Sequence, residues 1–213
     1  MRRSNPLSQF QHRWYVTVFF ISEVIIISLF EFAYNSVEFF YLYISVTPLI
    51  IGVLIYLDRD LMIRLRFNFS PKDIVIIVSV VSGWLYIYAV YGYSLKYVFD
   101  TLYYPVMLEE FNFRFLVTNV LGKLIGLPRA TVVQAFLYSL LYLSVLYYAP
   151  LGYPGIYFYL FPLDNFMMGL FYGALYMLRK SISTPMSLHL SLYLMDVFIP
   201  PALAFLPYTL SPV

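Results

Sequence analysis

Long apolar runs recur along the whole chain and limit the folds that it can adopt. Each is close to the roughly 20 residues that an α-helix needs to cross a bilayer, and none shows the short alternation of membrane strands. Hydrophobic residues make up 62% of the 213 positions and charged residues only 11%, a balance that soluble domains do not reach. The sequence therefore predicts an all-α, polytopic membrane helix bundle in a single domain, 1–213.

Proline, glycine and charged residues divide these runs into about seven predicted transmembrane helices. Ser70-Pro71-Lys72-Asp73 is typical of a helix start, with a hydroxyl cap followed by proline, and Thr184-Pro185 repeats that pattern. A Gly/Pro/Lys/Arg stretch at 123–129 predicts a loop or an interfacial helix. The predicted spans are 14–33, 37–57, 74–93, a fourth that starts near Pro105 and fades before Lys123, then 131–149, 157–178 and 184–199.

Lysine and arginine collect in alternate connections, as the positive-inside rule expects of cytosolic segments. The connection 58–73 is basic and is predicted to be a cytosolic loop, whereas the outer segments hold only Lys96. Arg114 is the one basic residue inside a predicted span. We therefore predict a multi-pass integral protein of the cell membrane, with its N-terminus inside and the lipid bilayer as its surroundings.

Composition also excludes several functions. The chain has no cysteine, so disulfides, thiol nucleophiles and thiolate metal sites are excluded. Its net charge of +2 gives no reason to expect a nucleic-acid partner. A metal site could draw its ligands from Glu109, Glu110, His189 and Asp196. However, no HExxH or paired-histidine spacing is present. No metal or other cofactor is predicted.

Two adjacent carboxylates and an arginine stand inside the fourth predicted span. Glu110 and Arg114 are four residues apart and share a helix face, so they can form an ion pair. Glu109 points about 100° away from Glu110 on the helix and lacks a partner there. Charged groups in lipid are costly. Two explanations stay open: Glu109 is a general base, or the three residues only hold helices together.

A second polar group lies in the last predicted span. His189, Tyr193 and Asp196 are spaced so that they follow one stripe of a helix. On its own, a single histidine in such a stripe is more often a hydrogen-bonded core residue than a catalyst or a ligand. Gly169 and Gly173 form a small-residue face that favours close helix packing. Further polar residues are interpreted as bundle or interface residues: Glu23, Asp164 and Asn165.

The order of four stretches resembles a known family. Glu109-Glu110-Phe111-Asn112-Phe113-Arg114 is similar to an EExxxR motif, and Gly126-Leu127-Pro128-Arg129, the glycine-containing segment 169–177 and the segment 183–189 ending in His189 follow in order. This pattern resembles the CPBP (CAAX protease and bacteriocin-processing, or ABI) intramembrane proteases, which include the type II CAAX prenyl endopeptidase. The resemblance covers about 104–199.

The resemblance implies a mechanism and shows two departures from it. It implies that Glu109 activates a water with help from a histidine in the fifth span, while His189 and an asparagine stabilise the oxyanion, with Glu110 and Arg114 beside them. Here Tyr142 stands at the fifth-span histidine and Tyr193 at the asparagine. Tyrosine can donate a hydrogen bond, but it is a poor proton acceptor at neutral pH.

Three functions are therefore compatible with the sequence. The first is a glutamate-dependent intramembrane endopeptidase that acts on a peptide or a lipid-anchored protein substrate in the membrane. The second is a catalytically weak or inactive member of the same family that acts as a membrane binding or scaffold protein. The third is a small proton- or cation-coupled transporter whose buried carboxylates carry the ion.

Overall fold

A computed structural model of the protein describes residues 6–33, 36–91, 96, 99–100, 102–143 and 155–198. Every regular element in these ranges is a helix, which agrees with the predicted all-α class. The main elements are α1 (Pro6–Ala33), α2 (Val37–Leu57), α3 (Arg59–Arg64), α4 (Pro71–Tyr91), α5 (Leu102–Met107), α6 (Glu110–Val117), α7 (Thr118–Ile125), α8 (Leu127–Leu141), α9 (Gly155–Arg179) and α10 (Ser183–Phe198). The last residues of the predicted span 131–149 lie outside these described residues.

Two of these helices are long and apolar enough to cross a membrane. They are Trp14–Ala33, within α1, and Val37–Leu57, which is the whole of α2. Their bounds match the first two predicted spans, and the chain is consistent with a helical membrane protein. The count of seven spans and the inside N-terminus stay predictions.

The start of α4 confirms the helix-start pattern in the sequence. The Ser70 hydroxyl accepts a hydrogen bond from the Asp73 amide at 3.2 Å, and the Asp73 carboxylate accepts one from the Ser70 amide at 2.7 Å. This reciprocal arrangement satisfies two amides that a helix start would otherwise leave unpaired. Pro71 is the first residue of the helix, where its missing N–H costs nothing.

The segment that carries the two carboxylates is not a regular α-helix. Tyr104 has extended backbone angles and interrupts α5, and α6 is a π-helix. The Thr118 amide accordingly donates to the Phe113 carbonyl, five residues earlier. Such wide turns are rare and occur most often at functional sites. Nothing in the spacing of the sequence predicts this turn.

The predicted loop at 123–129 is wrong, whereas the alternative of an interfacial helix stays a prediction. The break between α7 and α8 is one residue, Gly126, whose φ of 86° is accessible to glycine at little cost. Helix α8 then begins at Leu127, with Pro128 in its first turn, four residues before the predicted start of the fifth span. Proline is favoured in a first helical turn because its N–H is not needed there.

Helix α10 begins one residue earlier than predicted and inside the bundle. The Ser183 hydroxyl donates to the Asn68 carbonyl at 2.8 Å, and the Ile182 amide donates to the Arg66 carbonyl at 3.2 Å. Ser183 and Ile182 are fully buried. The connection between α3 and α4 therefore anchors the start of α10 below the surface, which brings His189 to the level of the two carboxylates.

Helices α8 and α9 pack closely through the predicted small-residue face. A Cβ atom added at Gly169 would lie 2.9 Å from the Ala135 Cα. A Cβ atom added at Gly173 would lie 2.7 Å from Nε2 of the Gln134 side chain. The Gln134 side chain also donates to the Gly169 carbonyl at 2.6 Å. These contacts confirm that Gly169 and Gly173 serve helix packing.

Gly169→Ala is expected to destabilise the fold by about 1–3 kcal/mol, because the added methyl group overlaps backbone that cannot move aside. Gly52→Ala is the matched control. A Cβ at Gly52, inside α2, meets nothing within 4 Å, and alanine is the better helix former. Thermal unfolding in detergent measures both variants. Equal unfolding temperatures for the two would contradict the packing argument.

Candidate functional site

Helices α6, α8 and α10 bring five of the predicted site residues into one buried group. This group, called here the Glu109 cluster, consists of Glu109, Glu110, Arg114, Tyr142 and His189. None of these residues is more than 8% exposed, and the two glutamates and the arginine are fully buried. Tyr193, the sixth predicted residue, lies on α10, but its side chain falls outside the part of the chain that the structure describes.

The two oxygens of Glu109 have different surroundings. The Tyr142 hydroxyl donates a hydrogen bond to Oε1. Oε2 lies 3.8 Å from His189 Nε2 and has no hydrogen-bond partner among the described residues. Glu109 is therefore held through one oxygen, while the other faces the imidazole.

His189 is oriented by Glu110. Its Nδ1 lies 2.8 Å from Glu110 Oε1, and because an ionised carboxylate only accepts hydrogen bonds, this contact places a proton on Nδ1. The imidazole also stacks on the Tyr172 ring, with centroids 4.9 Å apart and an angle of 28°. These contacts leave Nε2 as the ring nitrogen that faces Glu109. Glu110 on α6 therefore fixes the orientation of the His189 ring on α10.

Arg114 neutralises part of the buried negative charge. Its Nε lies 3.4 Å from Glu110 Oε1, so the pair expected from the i, i+4 spacing forms. The guanidinium carbon lies 4.0 Å from the centroid of the Tyr138 ring and 5.2 Å from that of Tyr172. Contacts of this kind with aromatic faces stabilise a cation. Arg114 is thus held between α8 and α9 as well as by its own helix.

The sequence did not reveal three of these contacts. It paired Glu110 only with Arg114, and it assigned no role to Tyr138 or Tyr172. The signal for Tyr138 was available, because it precedes Tyr142 by one helical turn and so lies on the same face. Tyr172 directly precedes Gly173, which belongs to the helix face that packs against α8. No motif, however, distinguishes Tyr172 from the other tyrosines of the chain.

The remaining predicted polar residues divide between the interior and the surface. Glu23 is 4% exposed and accepts a hydrogen bond at 3.0 Å from the amide nitrogen of Asn112, which is 1% exposed. Asn165 donates to the Phe161 carbonyl of its own helix at 3.0 Å, and Asp164 is exposed. Only Glu23 therefore joins two helices in the interior.

The side chains that the structure describes include no group of three histidine, aspartate or glutamate residues arranged to hold a metal ion. The chemistry that the Glu109 cluster itself offers is acid–base. It combines a carboxylate whose second oxygen has no hydrogen-bond partner in the described part of the chain, an imidazole nitrogen facing that oxygen, and a tyrosine hydroxyl. A water to one side of Glu109 Oε2 and His189 Nε2 could reach both by hydrogen bonds, because the two atoms are 3.8 Å apart.

A comparison with protein families identifies the part of the chain that carries this cluster. The family model described as type II CAAX prenyl endopeptidase Rce1-like matches residues 91–195. No curated protein and no solved structure matches the chain. The matched residues include the whole Glu109 cluster and Tyr193, and they exclude Glu23. Through residues 91–195, just under half of the chain, the protein is similar to the type II CAAX prenyl endopeptidase Rce1-like family.

Proposed function

We propose that the protein is a multi-pass intramembrane endopeptidase in which Glu109 activates the water that hydrolyses a peptide bond. One observation carries the proposal: Glu109 is fully buried, is held through Oε1 by Tyr142, and presents Oε2 to His189. A carboxylate in this setting is positioned by its neighbours and still has an oxygen that can accept a proton. The substrate is a peptide or a lipid-anchored protein that reaches residues 104–199 from the bilayer.

The first step is the attack of water on the scissile carbonyl carbon. Glu109 Oε2 takes one proton from the water as the oxygen forms its bond to carbon, and the carbonyl oxygen becomes an oxyanion. His189 donates to this oxyanion from Nε2 when the ring is an imidazolium, because Glu110 already accepts the proton on Nδ1. Glu110 and Arg114 keep the imidazole ring in place and balance its charge.

The second step is the collapse of the tetrahedral intermediate. The carbon–nitrogen bond breaks, and Glu109 returns its proton to the leaving amine, so that it ends the cycle as a carboxylate again. Tyr142 keeps its own proton at neutral pH and acts by orienting Glu109. The proton transfers therefore depend on Glu109 alone, which predicts a slow enzyme.

A second candidate function is a catalytically weak or inactive member of the family that binds proteins in the membrane. The observation that favours it is Tyr142, which stands where the resemblance expects a histidine and occupies one oxygen of Glu109. Tyrosine cannot share the proton of the attacking water as imidazole does. The two candidates differ in whether the unmodified protein cleaves any peptide.

The test is cleavage by the purified protein in liposomes, using peptides with a prenylated CAAX-like end and matched peptides without the lipid. Mass spectrometry detects the released fragment. We expect slow cleavage by the wild type and an increase of about 10² in rate for Tyr142→His, because an imidazole can share the proton. Tyr41→His changes an exposed tyrosine and is the control. Cleavage by Tyr142→His alone would support the second candidate, and cleavage by neither would contradict the endopeptidase.

A further inference from the structure

A second buried polar contact lies on the far side of α6, the helix that contains Glu110 and Arg114 of the Glu109 cluster. Asn112 Nδ2 donates to Glu23 Oε2 at 3.0 Å, and both residues are almost fully buried. Among the described residues, neither Glu23 Oε1 nor Asn112 Oδ1 has a hydrogen-bond partner. The Asn112 amide is therefore the one hydrogen-bond donor found for the Glu23 carboxylate within the described part of the chain.

The two partners come from different parts of the chain. Asn112 lies in α6, two residues after Glu110 and two before Arg114. Glu23 lies in α1, which is outside the residues matched by the family model. The family match therefore gives Glu23 no role, although the residue contacts the helix on which the proposed chemistry depends.

Helical geometry makes this contact sensitive to the rotation of α6. Asn112 lies two residues after Glu110, which is roughly half a turn of either an α- or a π-helix, so it points away from Glu110. A turn of the helix by one residue would bring Phe111 or Phe113 against Glu23. The carboxylate would then be buried with no donor at all, which is much more costly than a satisfied contact.

The π-helical turn gives the contact a second consequence. Residues Glu110–Val117 form this wide turn, and a π-turn changes the direction of each side chain relative to an α-helix. A long-range hydrogen bond in the middle of the turn favours the one arrangement in which Asn112 meets Glu23. That same arrangement directs Glu109 toward Tyr142 and His189.

We propose that Glu23 is a positioning residue, which acts through Asn112 to hold α6 in the rotation that places Glu109 opposite Tyr142 and His189. This inference rests on the proposed endopeptidase function for its effect on rate. Its effect on the geometry of the cluster does not depend on that function. The two can therefore be tested separately.

The variants separate positioning from simple packing. Glu23→Leu removes the buried carboxyl group and leaves an apolar side chain, so the protein is expected to fold. Asn112→Leu leaves the carboxylate without its donor. The double variant E23Q/N112D restores one hydrogen bond with donor and acceptor exchanged. Glu38→Leu makes the same change at an exposed position of α2 and is the control.

The first measurement is the ¹⁵N spectrum of histidine-labelled protein. The chain has only two histidines, and His12→Gln assigns the signal of His189. We expect Glu23→Leu and Asn112→Leu to shift the His189 Nδ1 signal, which reports the hydrogen bond to Glu110. The signal should return toward the wild-type position in E23Q/N112D and stay unchanged in Glu38→Leu.

The second measurement is peptide cleavage. Both single variants are expected to lower kcat by about 10- to 100-fold with little change in KM, because a displaced catalytic group slows the reaction without loss of binding. Unchanged His189 signals in both single variants would overturn the proposal, as would a failure of the double variant to restore them. Shifted signals in a protein whose wild type cleaves nothing would support positioning and overturn the proposed function.

Discussion

Glu109→Gln is expected to lower the rate of peptide cleavage by a factor on the order of 10² to 10⁴. Glutamine has nearly the same shape, and its side-chain oxygen can still accept the hydrogen bond that Tyr142 donates to Glu109. An amide nitrogen then replaces the oxygen that faces His189, and it cannot take a proton from water. KM should change little, because the shape of the site is kept.

The control for this prediction is Glu38→Gln, which makes the same change at an exposed position at the start of α2. Cleavage of the peptides described above, followed at several substrate concentrations, gives kcat and KM for both variants. A Glu109→Gln protein that keeps more than about half of the wild-type kcat would exclude Glu109 as the general base, since such groups contribute at least about 10².

Arg114→Leu is expected to destabilise the fold by about 3–5 kcal/mol, the usual cost of removing one partner of a buried ion pair. Arg114 and Glu110 are fully buried and 3.4 Å apart. Without the guanidinium, two adjacent carboxylates stay in the interior with no nearby arginine. The contacts with the Tyr138 and Tyr172 rings are lost as well. Thermal unfolding in detergent measures the change.

Arg179→Leu is the matched control, because Arg179 is 45% exposed and lies 3.7 Å from Asp73. Ion pairs with an exposed partner contribute little, typically below about 1 kcal/mol. The variant R114L/E110L, which removes both charges, should regain part of the stability lost in Arg114→Leu. Equal unfolding temperatures for Arg114→Leu and Arg179→Leu would show that Arg114 does not stabilise the buried carboxylates.

Local patterns in the sequence predicted much of the fold. The bounds of α2 follow from the apolar run 37–57. The start of α4 follows from Ser70 and Asp73, because the hydrogen bonds of a helix cap join residues only three positions apart in the chain. The family was recognised from the order of its motifs. By contrast, the predicted loop at 123–129 was wrong, because a single glycine with positive φ is enough to separate two helices.

The roles within the Glu109 cluster divide in the same way. Spacing along one helix was enough to pair Glu110 with Arg114 and to direct Glu109 elsewhere. Spacing could not show that Tyr142 would meet Glu109, 33 residues away in the chain, or that His189 would contact Glu110, 79 residues away. Such contacts depend on how the helices cross and at what depth each begins.

By itself, the sequence determined the class of protein, the family and the residues that carry charge into the bundle, because those properties follow from composition, periodicity and motif order. Only the tertiary structure decided which oxygen of Glu109 is held and which faces His189. It alone also joined Glu23 to Asn112 across 89 residues and revealed the π-helical turn that carries Asn112, Glu110 and Arg114. A helix face is set by local geometry, whereas its partner is set by the packing of the whole bundle.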